Sequence, residues 1–320
     1  MINEIHAYFV HVLQDKLGGV DDGRSQMAHG SGHVLIQFDK DGETLVFRVP
    51  KFGLRQMRST MLAYLHLGHL DLMPDKVYHD PKCIIERFAP GAPLDASVQT
   101  GVLTGMARKL AAMHAIGASG YGPLAFALHG SFDDATADYL RPGYADGFEP
   151  GGLPADQADH LQAIWRRAAE PPTGLAQAPM VLGHGDLWSK NILVSDTVFR
   201  IIDWDRVGAY PRERDLALLL DVNFSADQQE AFLMAYGEPV RRDWINWFGL
   251  RKLLSNRSLS NASRLAGIQA TRWLDVEVGV KGSPLGEPQL LAQLLLHEGQ
   301  VGSLLDGDAV GAALGQPLQQ

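Results

Sequence analysis

Apolar and polar positions along this chain recur with two different periods, and the changes of period divide it into elements. Ile2, Ile5, Tyr8, Phe9, Val12 and Leu13 are spaced as on a helix, and Gly18-Gly19 ends the run, so residues 2–17 are predicted to form a packing helix. Between residues 25 and 50 the period shortens to two. Residues 34–38 and 44–49 read as strands joined by the turn Asp39-Lys40-Asp41-Gly42. A helix is expected over 54–67 with Met57, Met61, Leu62 and Leu65 on its apolar face, followed by strands at 76–79 and 83–88. Ala89-Pro90-Gly91-Ala92-Pro93 then breaks all periodicity and marks a hinge. Residues 100–116 are amphipathic, with Leu103, Met106, Leu110 and Met113 in register. Further on, the apolar runs 191–194 and 198–202 flank Ser195-Asp196-Thr197 and predict a β-hairpin. Helical patterns begin at Pro211 and continue over 231–236, 244–254 and, less regularly, 264–273. The apolar run 290–296 is expected to dock as a helix, and 307–320 reads as a loose tail.

Composition narrows the class. With 46% hydrophobic and 20% charged residues in 320, the chain can bury a substantial core as one large domain or two lobes. The formal net charge of −9 argues against non-specific nucleic-acid binding and permits a cationic small substrate. Cys83 is the only cysteine, so no intrachain disulfide or cysteine zinc site can form, and it reads as a small core residue. No run approaches the length of a membrane span, and the N-terminal segment lacks a signal-peptide pattern. A reducing cytoplasmic setting is the expectation, and nothing in the sequence fixes an oligomeric state.

Chemistry concentrates between Gly183 and Val207, where His184, Asp186, Lys190, Asn191, Asp203 and Asp205 surround the predicted hairpin. Its register brings Asn191 and Asp203 to about the same level at the open end, with Asp186 on the loop just before. Two oxygen ligands suit Mg²⁺, which takes its remaining ligands from water and substrate phosphates. A separate carboxylate beside them can accept the proton of an attacking hydroxyl. Earlier, Gly30-Ser31-Gly32 between two strands lets backbone N–H groups approach an anion. Seven acids and one base lie between Ser131 and His160; Asp133 and Asp134 belong either to a cation-binding rim or to a solvated insertion. His66 and His69, three apart, lack the further ligands of a metal site. Tyr236, Trp244 and Trp247 read as packing residues.

The spacing His-x-Asp-x-x-x-x-Asn, followed by a hairpin and an Asp, resembles the catalytic core of protein kinases. HGDLxxxN with IDWD and the later RERDLALLL is similar more closely to the aminoglycoside phosphotransferase family, which also contains choline, homoserine and fructosamine kinases; the resemblance spans roughly residues 20–260. It implies an α+β, two-lobed protein-kinase-like fold: a small antiparallel-sheet lobe at 1–89 and a larger helical lobe at 90–306. It implies ATP, or alternatively GTP, with Mg²⁺, and a small hydroxylated acceptor, with neither nucleic acid nor membrane as partner. Asp186 would be the base and Asn191 and Asp203 the metal ligands, with Asp205 in the outer metal shell. His184 would order the loop, and Asp215 would tie it to the following helix. Gly30, Ser31 and Gly32 would cover the phosphates, Arg48 would be the strand cation, and the backbone of Glu86 to Phe88 would meet adenine.

Two departures stand out. No acid occurs between Glu43 and Asp71, and Arg58 sits where the family's helix carries the Glu that pairs with the strand cation. Trp188 stands where protein kinases carry a Lys, and Lys190 is expected to reach the γ-phosphate instead, with Trp188 walling the acceptor site. HGDLW resembles fructosamine kinases, whereas the acidic stretch and SGYGP suit an antibiotic kinase. The missing helix Glu leaves a third alternative, a nucleotide-binding pseudokinase scaffold.

Overall fold

The computed structural model describes residues 2–19, 25–29, 32–51, 54–125, 130, 152–222 and 224–255. Gly30, Ser31, Asp133, Asp134, the helical patterns at 264–273 and 290–296 and the tail at 307–320 lie outside the described residues. Five antiparallel strands form the first sheet: β1 (Gln26–His29), β2 (His33–Lys40), β3 (Glu43–Pro50), β4 (Lys76–His79) and β5 (Ile84–Arg87), in the order β1-β2-β3-β5-β4. Helix α1 (Ile2–Leu17) packs Phe9, Val12 and Leu13 against Ile36, Phe38, Phe47, Cys83 and Ile85 of the sheet. The Phe9 ring meets Phe38 and Phe47 edge-on at 5.0 and 5.3 Å, so the leading helix closes one sheet face and buries the single cysteine.

Helix α2 (Leu54–Leu67) departs from its expected apolar face. Leu65 is 74% exposed, while Met57, Ser59, Thr60, Ala63 and Leu67 are buried. The stripe is displaced because the inward face is partly polar: Thr60 lies against Arg48 and Asp205 rather than against carbon.

The segment after β5 is strapped down rather than free to act as a hinge. Ala92–Pro93 (β6) pairs with β9 (Ile192–Ser195), which pairs with β10 (Val198–Ile201) in a second sheet, and Leu94 N–H donates to Ile192 O at 2.8 Å. Gly91 has φ +136°, and a Cβ there would fall 2.5 Å from Val194 O, so only glycine lets the strap lie this close. A third sheet, β7 (Gly122–Pro123), β11 (Gly208–Tyr210) and β8 (Val181–Gly183) in that spatial order, underlies the loop that begins at His184. SGYGP thereby serves as a floor strand.

The helices are α3 (Thr100–His114), α4 (Ala155–Ala169), α5 (Arg212–Leu216), α6 (Leu218–Asp221), α7 (Ala226–Tyr236) and α8 (Arg242–Ser255). Leu103, Met106, Leu110 and Met113 of α3 are buried as their spacing predicts, in one core with Leu67, Leu72, Ile201, Trp204 and Phe232. Trp244, Trp247 and Phe248 pack with Tyr121 and Tyr210 under the third sheet.

Candidate active site

The loop from His184 to Trp188 leaves β8 and is fixed from below before it presents any chemistry. Asp215, buried on α5, accepts hydrogen bonds from the backbone N–H groups of His184 at 2.6 Å and Gly185 at 3.0 Å. Its Oδ2 also lies 3.3 Å from His114 Nε2. Burial alone would push this carboxyl up, but His114 and the loop N–H groups outweigh it and hold it down at about 2. Arg214 completes the clamp, donating to Gly185 O from Nε at 3.1 Å and from Nη2 at 2.9 Å, with its guanidinium 4.4 Å from the Tyr210 ring centroid. At Gly185 φ is +79°, and a Cβ would meet Arg206 O and the Tyr210 ring at 2.5 Å, so the second residue of the HGD sequence has to be glycine.

His184 orders the loop, as its position suggests. Its Nδ1 accepts from Asp186 N–H at 3.2 Å and its Nε2 lies 3.0 Å from Ile202 O, a pattern that only the neutral ring with the proton on Nε2 satisfies. The same ring meets Trp204 edge-on at 4.6 Å. Two donors then surround Asp186: the Trp188 indole N–H binds its Oδ1 at 2.6 Å, and Asn191 Nδ2 binds its backbone O at 3.0 Å. Because the Asn191 amide spends its NH₂ group there, Oδ1 is the end left to act as an acceptor. Lys252 Nζ lies 3.6 Å from the Trp188 ring centroid and donates to Leu187 O at 2.6 Å.

The hairpin is tighter than its sequence suggests. Ser195 pairs with Val198 across a two-residue turn, and Ile202 N–H donates to Asn191 O at 2.9 Å, so Asn191 lies opposite Ile202 and one step short of Asp203. The chain then reverses at Asp203 in the left-handed region, φ 64°, a conformation that Asp tolerates better than most residues. This turn places Asp203 and Asp205 in one cluster with His33, the first residue of β2.

Arg48 resolves the first departure. On the antiparallel β3–β5 pair, Val46 faces Glu86 and Arg48 faces Ile84, so Arg48 and Glu86 are diagonal neighbours on one face. Arg48 Nη2 lies 3.4 Å from Glu86 Oε1 and 3.3 Å from Thr60 Oγ1, and Tyr64 donates to the same Glu86 oxygen at 2.8 Å. The carboxylate that the helix lacks is therefore supplied by a strand. Arg58 is exposed on α2 and does not face Arg48. Burial would lower the Arg48 guanidinium, and the charges of Glu86, Asp205 and Asp203 more than offset it. Its Nε is buried without a hydrogen-bond partner among the described residues.

The expected adenine contacts need correction. Phe88 N–H donates to Thr44 O at 2.9 Å and Arg87 N–H to Asp75 O at 2.8 Å, so the first sheet has consumed both donors. The Glu86 side chain is likewise engaged with Arg48. Gly32 lies against α2 and the loop after β10: a Cβ there would meet Gln56 Nε2 at 2.9 Å and Asp205 Oδ2 at 3.5 Å. Lys190 is exposed on the 3₁₀ turn Ser189–Asn191.

The residues present fit a nucleotide with a divalent ion. Asn191 and Asp203 offer oxygen donors, the buried Arg48 Nε awaits an acceptor, and burial together with the charge of Asp203 outweighs Arg48 and pushes the Asp205 carboxyl up to about 6. Sequence reading missed His114, Arg214, Tyr121 and Tyr64. Only Arg214 carried a signal, as the neighbour of Asp215 in RERD.

Among curated proteins none matches the chain significantly. Solved structures do. The macrolide 2'-phosphotransferase MphH from Brachybacterium faecium superposes with a TM-score of 0.60 at 18% identity, covering 99% of this chain and 100% of that one. A putative fructosamine-3-kinase from Thermobifida fusca gives 0.54 at 20% identity, covering 82% and 98%. A choline/ethanolamine kinase family protein from Mesorhizobium loti gives 0.52 at 16% identity, covering 97% and 100%. The fold is that of the protein-kinase-like phosphotransferases. The model of the phosphotransferase enzyme family, APH, matches residues 36–251, and the chain belongs to that family of small-molecule phosphotransferases.

Proposed function

We propose that this enzyme transfers the γ-phosphoryl group of ATP to a hydroxyl of an aminoglycoside-like antibiotic or a related metabolite. The observation that carries the reading is the HGD loop, locked by Asp215 and Arg214 so that Asp186 is presented beside Asn191 and the Asp203 turn. Asp186 accepts the proton of the attacking hydroxyl. Asn191 and Asp203 would hold Mg²⁺, which when bound neutralises charge on the transferring phosphates. Arg48, kept in place by Glu86 and Thr60, binds phosphate oxygens. In the segment that follows β5, Ala89 N–H is the next backbone donor for the adenine ring. Lys190 follows the phosphoryl group from the solvent side of the turn.

A sugar or fructosamine-type acceptor is the second reading, and Trp188 favours it. The indole is bonded to Asp186 and carries Lys252 on its ring, so the wall nearest the base combines an aromatic face with a positive charge. That pairing suits a neutral or anionic polyol better than a polycation. The scaffold alternative loses its motive, since Glu86 supplies the carboxylate that α2 lacks. A panel of macrolides, aminoglycosides, fructosamines and amino alcohols, read by ADP release, tests the proposal. Acceptor-dependent ADP release is the expected result; MgATP binding without turnover on any acceptor would revive the scaffold.

A further inference from the structure

His33 takes no part in the mechanism above, yet it is among the most tightly enclosed polar groups beside it. It is 6% exposed, and its Nε2 makes no hydrogen bond among the described residues. A buried imidazole nitrogen left this way carries a desolvation cost unless something else satisfies it. What faces it is a pair of carboxylates. Asp205 Oδ1 lies 3.5 Å from Nε2, and one ligand atom each from His33, Asp203 and Asp205 lie within 4.8 Å of one another.

We propose that His33, Asp203 and Asp205 form a site for a first-row transition-metal dication of the Zn²⁺ class in the nucleotide-free protein. Charge favours a cation here: three carboxylates, Glu86, Asp203 and Asp205, act on the one buried cation Arg48, and Lys51, the other cation felt by His33, is exposed. An anion would meet two carboxylates. Ligand type selects the metal, because an imidazole nitrogen with two carboxylate oxygens suits Zn²⁺, Co²⁺ or Mn²⁺, whereas Mg²⁺ prefers oxygen alone. Bonds of about 2.0–2.2 Å require ligand atoms roughly 3–4 Å apart, a spacing that His33 and Asp205 already have, with the Asp203 oxygen within 4.8 Å of both.

Such an ion would pin the start of β2 to the turn after β10. On the reading of Asp203 given above, it would also take a ligand from the nucleotide's metal, so that it and MgATP exclude one another. Titrating the nucleotide-free full chain with Co²⁺ and following its visible absorption tests the site without any turnover. One equivalent should bind with bands of mixed nitrogen and oxygen ligation, displaced by Zn²⁺ but not by Mg²⁺ in excess. His33→Gln and, independently, Asp205→Asn should each weaken Co²⁺ by on the order of tenfold to a hundredfold or more. Absence of the bands in the wild type, or an unchanged spectrum and affinity in both variants, overturns the proposal. MgADP should release the bound Co²⁺. Retention of a His33-dependent Co²⁺ alongside MgADP would leave the site standing and instead count against Asp203 as the nucleotide's metal ligand.

Discussion

At the scale of single residues the most instructive pair is Arg48 and Glu86. Both are buried, and Glu86 is the carboxylate that acts most strongly on Arg48, so removing it breaks a buried ion pair. Glu86→Gln should destabilise the protein by about 3–5 kcal/mol and raise the Michaelis constant for MgATP, as read by urea denaturation and by kinetics. Arg58→Ala, at an exposed position, should stay within about 0.5 kcal/mol of wild type. Equal effects of the two changes would reinstate the helix as the partner of Arg48. Lys190 gives a second test at this scale. If it follows the phosphoryl group, Lys190→Met should lower kcat by roughly tenfold to a thousandfold while ADP affinity barely moves; an unchanged kcat at saturating substrate would assign the lysine to solvent.

Between elements, the decisive contact is that of α5 with the catalytic loop through Asp215. Its carboxyl is held down at about 2, below its unfolded value near 4, so ionised Asp215 stabilises the fold above that unfolded value. That stability, on the order of 2 kcal/mol, is lost as pH falls from about 4 to 2. Asp215→Asn should therefore cost that much at neutral pH in denaturant titrations, and the gap to wild type should close progressively as the pH falls to 2. A gap independent of pH would mean that the carboxyl is not the origin of the effect. The hairpin and the HGD loop were legible in the sequence because each is encoded in residues close along the chain, whereas this tie spans 31 residues and was legible only through the resemblance of RERD to the family motif. The carboxylate for Arg48 was not legible. It comes from β5, a strand adjacent in space but 38 residues on, and strand neighbours are set by sheet order rather than by any local spacing. The same holds for the N–H groups of Arg87 and Phe88, whose backbone engagement leaves no trace in side-chain identity. The apolar stripe of α2 misled for a related reason: Ser59 and Thr60 are buried, with Thr60 against Arg48 and Asp205, so the buried face reads as polar.

Across the whole molecule, the two lobes converge on a few side chains. Arg48 and Glu86 come from the first sheet, Thr60 from α2, Asp203 and Asp205 from the turn after β10, and Asp186 from the loop that Asp215 and Arg214 hold. The strap at Ala92–Pro93 ties the start of the second lobe to the hairpin that leads into the Asp203 turn. On the function proposed above, Asp186 is the group that meets the acceptor hydroxyl, which makes its carboxylate the point to test. Asp186→Asn keeps the size of the side chain and removes the proton acceptor. With the acceptor that the panel identifies, kcat for ADP formation should fall by on the order of a hundredfold or more while MgATP affinity, measured in parallel by calorimetry, stays near that of the wild type. Near-normal turnover in that variant would contradict the assignment of Asp186 as the base.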